Sequence, residues 1–457
     1  TYLTQTSLNG SARYTAMAGA FGALGGDLTA ISNNPAASSV FLNTEIGGSL
    51  NFQARENESK YYGEFTSLNE EAFYFDQLGT VFVFNNTNEE NPWSRISAAI
   101  NVNRVTNFDN QTSLSGINNT SIADYFLYYA NGIAFEDIQL YDDETISDIY
   151  RYLGDEIGFG AQQAFLGYQS YIIDPLSPND LEKSYISNVS SNKYRNNLDI
   201  INSGFHRKTS FNFSALYQNI LHIGVNLNSH KLEFRNNQDF FEYDQDIDSF
   251  IYNVNFDNDL ISYGDGFSIQ FGGILKLKNI RIGATYDSPQ WIDIKDETQQ
   301  KLSAYRFEDD YEIQEIIDPE ITNSYSPYRL KIPSKTSLSF AYIFNMSGIE
   351  SAYLMHLAVG TSFGIIIPTS IVSVHTHNQH KAVDFNIVKG YGFFVALGVI
   401  LGTILAANLQ TKPLILFFTI VVYILAFYLI FLKEKEEKLE IKIGMLSKAM
   451  SGIISGF

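Results

Sequence analysis

Cysteine is missing from all 457 residues, which removes disulfide frameworks, thiolate nucleophiles and thiolate metal ligands together, though it does not fix the compartment. Positive charge is scarce. Thirty Lys and Arg stand against 50 Asp and Glu, a net charge of −20 that repels nucleic acid. From Glu350 onward eight Lys and no Arg face six acidic residues, so the acidic excess lies wholly in the earlier part of the chain. Also lacking are an initiator Met and a charged-then-apolar leader at Thr1, as a cleaved or truncated signal peptide, or a start inside a gene, would leave. No Ser/His/Asp grouping, phosphate-cradling Gly loop or carboxylate pair stands out, so no catalytic residue, metal ligand or cofactor is assigned, and the chain does not read as an enzyme.

Long apolar runs are absent from the first three quarters, and strict alternation takes their place. In Ser94–Val105 the set Ile96, Ala98, Ile100 and Val102 interleaves with Ser97, Ala99, Asn101 and Asn103, which puts one face in an apolar and the other in a polar environment. Phe211, Phe213, Ala215 and Tyr217 repeat the pattern, as do Leu221, Ile223, Val225 and Leu227 beyond a turn at Gln218–Asn219. Phe267–Leu277, Ile280–Tyr286 and Leu338–Phe344 give further strands, and Ile46–Phe52 and Leu78–Phe84 weaker ones. Periodicity alone fits a soluble sandwich as well as a barrel. The 29 Tyr and 35 Phe, many at strand ends, favour a membrane barrel with aromatic girdles, its apolar positions Ile96, Ile100, Phe211, Phe213, Leu338 and Phe340 facing outward. His206, His222 and His230 have no ligand-like context. Asp244, Asp246 and Asp248 lack the Gly and terminal Glu of a Ca²⁺ loop and read as a solvated loop.

Two stretches are not strands. Asn9–Phe41 opens at an N-cap, Ser11, runs through small residues suited to close packing, and breaks at Gly25–Gly26 before an Asn33-Asn34-Pro35 turn. The series Met17, Gly19, Ala20, Asp27, Asn34, Pro35 and Ala36 resembles the N-terminal hatch of the FadL-type outer-membrane transport family, in its Bacteroidetes-like branch. Ala37 stands where that family usually has Gly. The resemblance implies a gated barrel, closed in that family by fourteen strands, that takes up long-chain fatty acids or other hydrophobic molecules. Those seven residues would gate it. About nine or ten strands can be placed before Asn345, so the barrel is expected to be incomplete. The second stretch, about 121–174, carries helical runs at Ala123–Ala130 and Ala161–Ile173 and reads as a folded extracellular insertion.

Beyond about residue 350 the pattern changes. Leu357–Val374, Tyr391–Ala407 and Leu414–Leu432 are helix-length apolar runs, the last without a charge and long enough to cross a bilayer core of ~30 Å at ~1.5 Å per residue. Lys381, Lys389, Lys433, Lys435 and Lys438 place the loop His375–Lys389 and the segment after Leu432 on the cytoplasmic side. That loop holds His375, His377 and His380, but no carboxylate or Cys completes a metal site. The order Gly360-Thr361-Ser362, Ile367-Pro368-Thr369-Ser370, Val383-Asp384, Val388-Lys389-Gly390 and Gly398-x-x-x-Gly402 resembles part of the TauE/SafE family of inner-membrane sulfite and organosulfonate exporters. Thr361, Ser362, Thr369 and Ser370 around Pro368 then have two readings, an oxyanion path or helix packing.

The chain is thus expected to be mixed: a hatch at 1–42, an incomplete antiparallel transmembrane β-barrel at 43–347, and a partial, all-α transmembrane region of about three helices at 348–457. Outer-membrane character is expected for 1–347 and inner-membrane character for 350–457, with a lipid bilayer, a fatty-acid-like molecule and a small sulfur oxyanion as partners. Uptake through the barrel leads. Anion export by the second part, or an inert surface barrel, are the alternatives, and the change of class suggests a chimera of two partial genes.

Overall fold

The computed structural model describes residues 2–343, apart from 89, 180, 190–192, 245–249, 309 and 310, and in the remainder only Leu397, Leu416, Thr419, Ile420 and Tyr423, all helical. The chain separates into two compact units, Thr1–Ile343 and Phe344–Phe457. Among the described residues no helix is long and apolar enough to cross a membrane, and the three apolar runs expected as helices lie outside them, these five positions excepted.

In the first unit a short helix, α1 (Ala12–Ala16), starts the hatch segment. Four strands follow: β1 (Glu45–Tyr61), β2 (Glu64–Asn85), β3 (Trp93–Asn107) and β4 (Asn110–Asn118). The insertion contributes α2 (Ala123–Ala130), α3 (Phe135–Ile138), α4 (Ile146–Glu156) and α5 (Phe159–Gln169), then a ribbon of β5 (Ile173–Pro175) and β6 (Tyr185–Ser187). The long strands β7 (Tyr194–Tyr217), β8 (Leu221–Asp244) and β9 (Ile251–Leu277) come next. They are followed by β10 (Ile280–Asp287), β11 (Gln290–Glu308), β12 (Tyr311–Ile317), β13 (Asn323–Ser324), β14 (Tyr328–Ile332) and β15 (Lys335–Tyr342).

All pairings are antiparallel, and apart from the ribbon the strands form one sheet that curls into an open half-barrel. Several of them are pieces of one pass. β3 and β4 together flank β7, β10 and β11 together flank β9, and β12 to β15 line up along β11 and β10. Pro289 and Pro333 stand at the interruptions between β10 and β11 and between β14 and β15, where the missing N–H cannot join a ladder. The sheet is therefore an eight-pass meander with β1 and the β12–β15 pass at its edges, one or two passes fewer than the alternation suggested.

Side-chain alternation is carried through. Ile96, Ile100, Phe211, Phe213, Leu338 and Phe340 are exposed on the outer face, while Ser97, Asn101, Asn103, Asn212 and Asn226 are buried on the inner one. Strands run well past the sequence expectation: β1 and β2 continue to a tip at Tyr62–Gly63, both with positive φ, as a tight hairpin needs. Beyond Phe52 the outward positions are Ala54, Glu56, Glu58 and Lys60 and the inward ones Gln53, Arg55, Asn57 and Ser59. With neither face apolar, the two-residue hydrophobic period vanishes although the ladder does not. The hatch helix is shorter than its run of small residues implied, because Ala18 and Gly19 turn left-handed immediately after it.

Candidate functional site

The hatch segment lies against the polar inner face of the sheet. Ser11 caps α1 by accepting from the Tyr14 amide at 3.1 Å and donates to Asp27 at 2.6 Å, whose other oxygen accepts from the Thr29 amide at 2.8 Å. Asn34 caps the tight turn Pro35–Val40, accepting from Ala36 N at 3.0 Å while its amide donates to Gly22 O at 2.6 Å and Gly273 O at 3.2 Å. Side chains of five passes reach the hatch carbonyls: Asn101 donates to Leu28 O, Asn212 to Pro35 O and Asn226 to Ile31 O, each at 2.8 Å, Gln270 to Asn33 O at 3.1 Å, and Arg281 to Leu24 O at 2.6 Å. His222 shares a hydrogen with Ser39 at 2.8 Å, and Ser38 meets both Asn212 and Ser214. The hatch comes so close at Asn34–Ala36 that a Cβ at Gly224 would collide with the Pro35–Ala36 backbone, and one at Gly272 with the Asn34 side chain and the Pro35 ring.

The seven residues singled out in the hatch divide. Asp27, Asn34, Pro35 and Ala36 are buried, Asp27 within the hatch's own bonds and the other three against the sheet. Met17 and Ala20 are exposed and Gly19 half-buried, in the turn after α1. Thr361, Ser362, Pro368, Thr369 and Ser370 lie outside the described residues, as do Asp246 and Asp248. What sequence reasoning missed is a buried chain of polar groups: His206 Nε2 lies 3.0 Å from His230 Nδ1, and His230 Nε2 lies 2.8 Å from Ser268 Oγ. The inward phase of both histidines was readable, but their meeting depends on the β7–β8 register, which pairs Lys208 with His230.

The insertion forms the main apolar core. Phe126, Ile138, Tyr150, Leu153, Phe165 and Leu166 pack with Ile251, Val254, Leu302 and Ile317 near the ends of the sheet farthest from the hatch turns. Tyr150 Oη and Gln163 Nε2 both donate to Gln300 Oε1, at 2.9 and 2.7 Å, and burial pushes the Tyr150 phenol up. Glu242, near the end of β8, anchors the insertion's first turn, accepting from Ser121 Oγ at 2.5 Å and Ile122 N at 2.9 Å. Burial first of all, then Asp244 and Asp124, raise its carboxyl against the pull of those two bonds, to about 7.

Two cavities open onto the inner face. One of about 460 Å³ lies among Tyr61, Tyr62, Ile122, Tyr125, Phe240 and Phe256, below the insertion. Another of about 380 Å³ is lined by Leu3, Phe234, Leu260 and Tyr328. Both mix aromatic walls with a few amides, which suits an apolar ligand held by a small number of polar contacts.

Among families of known proteins, that of the sulfite exporter TauE/SafE matches residues 338–457. This ties the C-terminal part of the chain to membrane transporters. The match begins inside β15, five residues before the boundary of the strand-rich unit, so its first positions belong to a strand hydrogen-bonded to β10. No curated protein matches the chain.

Proposed function

We propose that the strand-rich unit is a FadL-like outer-membrane uptake protein for long-chain fatty acids or similar hydrophobic molecules, with the hatch as its gate. The observation that carries this reading is the two-faced sheet. Its outer face presents Ile46, Phe52, Phe73, Phe82, Phe213 and Phe340 to the surroundings, while its inner face is lined with amides that hold a plug by exchangeable hydrogen bonds. An inert surface barrel has no need of a plug fastened in this way, nor of aromatic cavities beside it. The unit carries a ligand and performs no chemistry on it. The test is uptake of a fluorescent long-chain fatty acid by cells that lack their own importer. Expression of the strand-rich unit, ending at Ile343 and with an export signal added, should give saturable uptake, and a linear, unsaturable signal equal to that of empty cells would sink the reading.

For residues 348–457 the family match supports a second reading, a partial inner-membrane exporter of sulfite or a related sulfur oxyanion, joined to the barrel as a chimera of two partial genes. Thr361, Ser362, Thr369 and Ser370 beside Pro368 are its proposed anion path. Sulfite efflux lost in a restored full-length exporter on replacing Thr361 and Ser362 by Ala supports that path, and unchanged efflux removes it.

A further inference from the structure

A third cavity, of about 340 Å³, lies on the inner face where the chain's first residues cross β1, β2 and β3. Its character is unlike that of the two aromatic ones. The lining is polar, with Arg55 and Arg104 joined by Asn51, Gln53, Asn107 and Asp76, and Ser7 to Asn9 close it from the hatch side. Ser7 N donates to Val105 O at 3.0 Å, which pins that closing segment to β3.

The donors outnumber the acceptors. Arg104 lies 4.5 Å from the Tyr74 ring centroid, its Nε is buried without a hydrogen-bond partner, and Asn107 Nδ2 is likewise unpartnered. Arg55 spends one nitrogen, Nη1, on Asp109 O at 2.6 Å and Asn110 Oδ1 at 3.1 Å. Among the described residues neither arginine has a carboxylate within 4 Å. Asp76, the extra residue where the β1–β2 register shifts, sits beside Asn51 and the Gly10 amide and attracts Arg104, as Asp109 outside the lining also does; the lining itself carries two positive charges against one negative. A guanidinium Nε buried without an acceptor is costly, and two planar donor forks in one small cavity match the oxygens of a carboxylate or phosphate.

We propose that this cavity is a binding site for a compact oxyanion, with Arg104 and Arg55 as its charged donors and Asn107 as a neutral one. The anion is either the headgroup of an amphiphile within the barrel or a free small carboxylate. The site goes beyond the uptake reading, because it requires no hydrocarbon.

The test is calorimetric titration of the full chain in non-ionic detergent with octanoate, octanol and acetate, on the parent protein and on Arg104→Gln, Arg55→Gln and Arg104→Lys. Octanoate should bind saturably, weaken roughly tenfold or more in either Gln variant, and recover in part with Lys. If acetate binds as octanoate does, the site stands, its source is a free anion, and the uptake reading gains nothing. If octanoate binds and acetate does not, the site stands as a headgroup site. Equal binding of octanoate and octanol, indifferent to both Gln variants, overturns the site and leaves uptake intact. Should a Gln variant fail to fold, phenylglyoxal labelling of the parent decides: protection of Arg104 by octanoate or acetate but not octanol supports the site, and no protection by either anion overturns it.

Discussion

At the scale of single residues the hatch hangs on a few side chains with no free valence. Asn34 satisfies three backbone groups at once, so Asn34→Ala removes a cap and strands the Gly22 and Gly273 carbonyls, at a cost of about 2–3 kcal/mol. Hydrogen exchange should show residues 9–41 opening faster while β7 to β9 keep their protection. Asn34-Pro35 was legible as a turn because Asn and Pro carry their geometry with them; its partner Gly273 was not, since 239 positions separate the two residues. Arg55 and Arg104 were illegible for the same reason. Glu242 supplies the pH dependence. A carboxyl raised to about 7 in the fold, against its ordinary 4.5, keeps its proton while the unfolded chain has lost it, so stability falls as pH rises from near 4.5 and levels off above 7. Although the bonds from Ser121 and Ile122 favour the ionised carboxyl, burial outweighs them, so the anchoring of the insertion's first turn should show a net loosening between pH 5 and 7.5. Fluorescence from a probe on the insertion should follow that loosening in the parent and lose the dependence in Glu242→Gln.

At the scale of elements, what decided legibility was whether a strand had one apolar face. β3 and the facing ends of β7 and β8 have one and could be read position by position. The outer halves of β1 and β2 do not, and in β11 the inner face mixes buried Ile292, Ile294, Leu302 and Ala304 with Asp296 and Gln300, opposite Asp293, Lys295 and Glu297. The helices of the insertion were visible as a composition rich in Tyr, Phe and Gln. Their packing was not, because it joins residues on either side of more than a hundred positions, such as Tyr150 to Gln300. Phe165 sits fully buried at the middle of that packing. Phe165→Ala should cost about 3–5 kcal/mol, felt by the insertion and the adjoining ends of β9 and β11. Limited proteolysis is the readout: cleavage should concentrate at 121–174 in the variant, with the β7–β8 hairpin left intact.

At the scale of the whole molecule the proposed function puts two membrane chemistries in one chain. The strand-rich unit is an open sheet. Among the described residues β1 pairs only with β2, and β15 only with β10, so each has a side without ladder bonds, which a bilayer penalises by several kcal/mol per unsatisfied group. Edge pairing between copies is the expected remedy. With no native Cys to interfere, Ile46→Cys and Leu338→Cys introduced together and oxidised with copper–phenanthroline in lipid vesicles should give disulfide-linked oligomers that persist in SDS without reductant, whereas oxidation of protein already denatured in SDS should not. The second chemistry conflicts with the first through biogenesis. A barrel strand must cross the inner membrane unhalted, and its alternation keeps its hydrophobicity low enough to do so, whereas a charge-free run such as Leu414–Leu432 is long enough and apolar enough to be retained there. Retention of the one opposes export of the other. In a two-membrane bacterial host, with the same export signal added to both, the full chain should fractionate with the inner membrane, and a chain ending at Ile343 with the outer. Recovery of the uncleaved full chain from the outer membrane, with its hatch still protected from exchange, would show that the C-terminal part has no inner-membrane character, and the view of this protein as two joined transporters would fall with it.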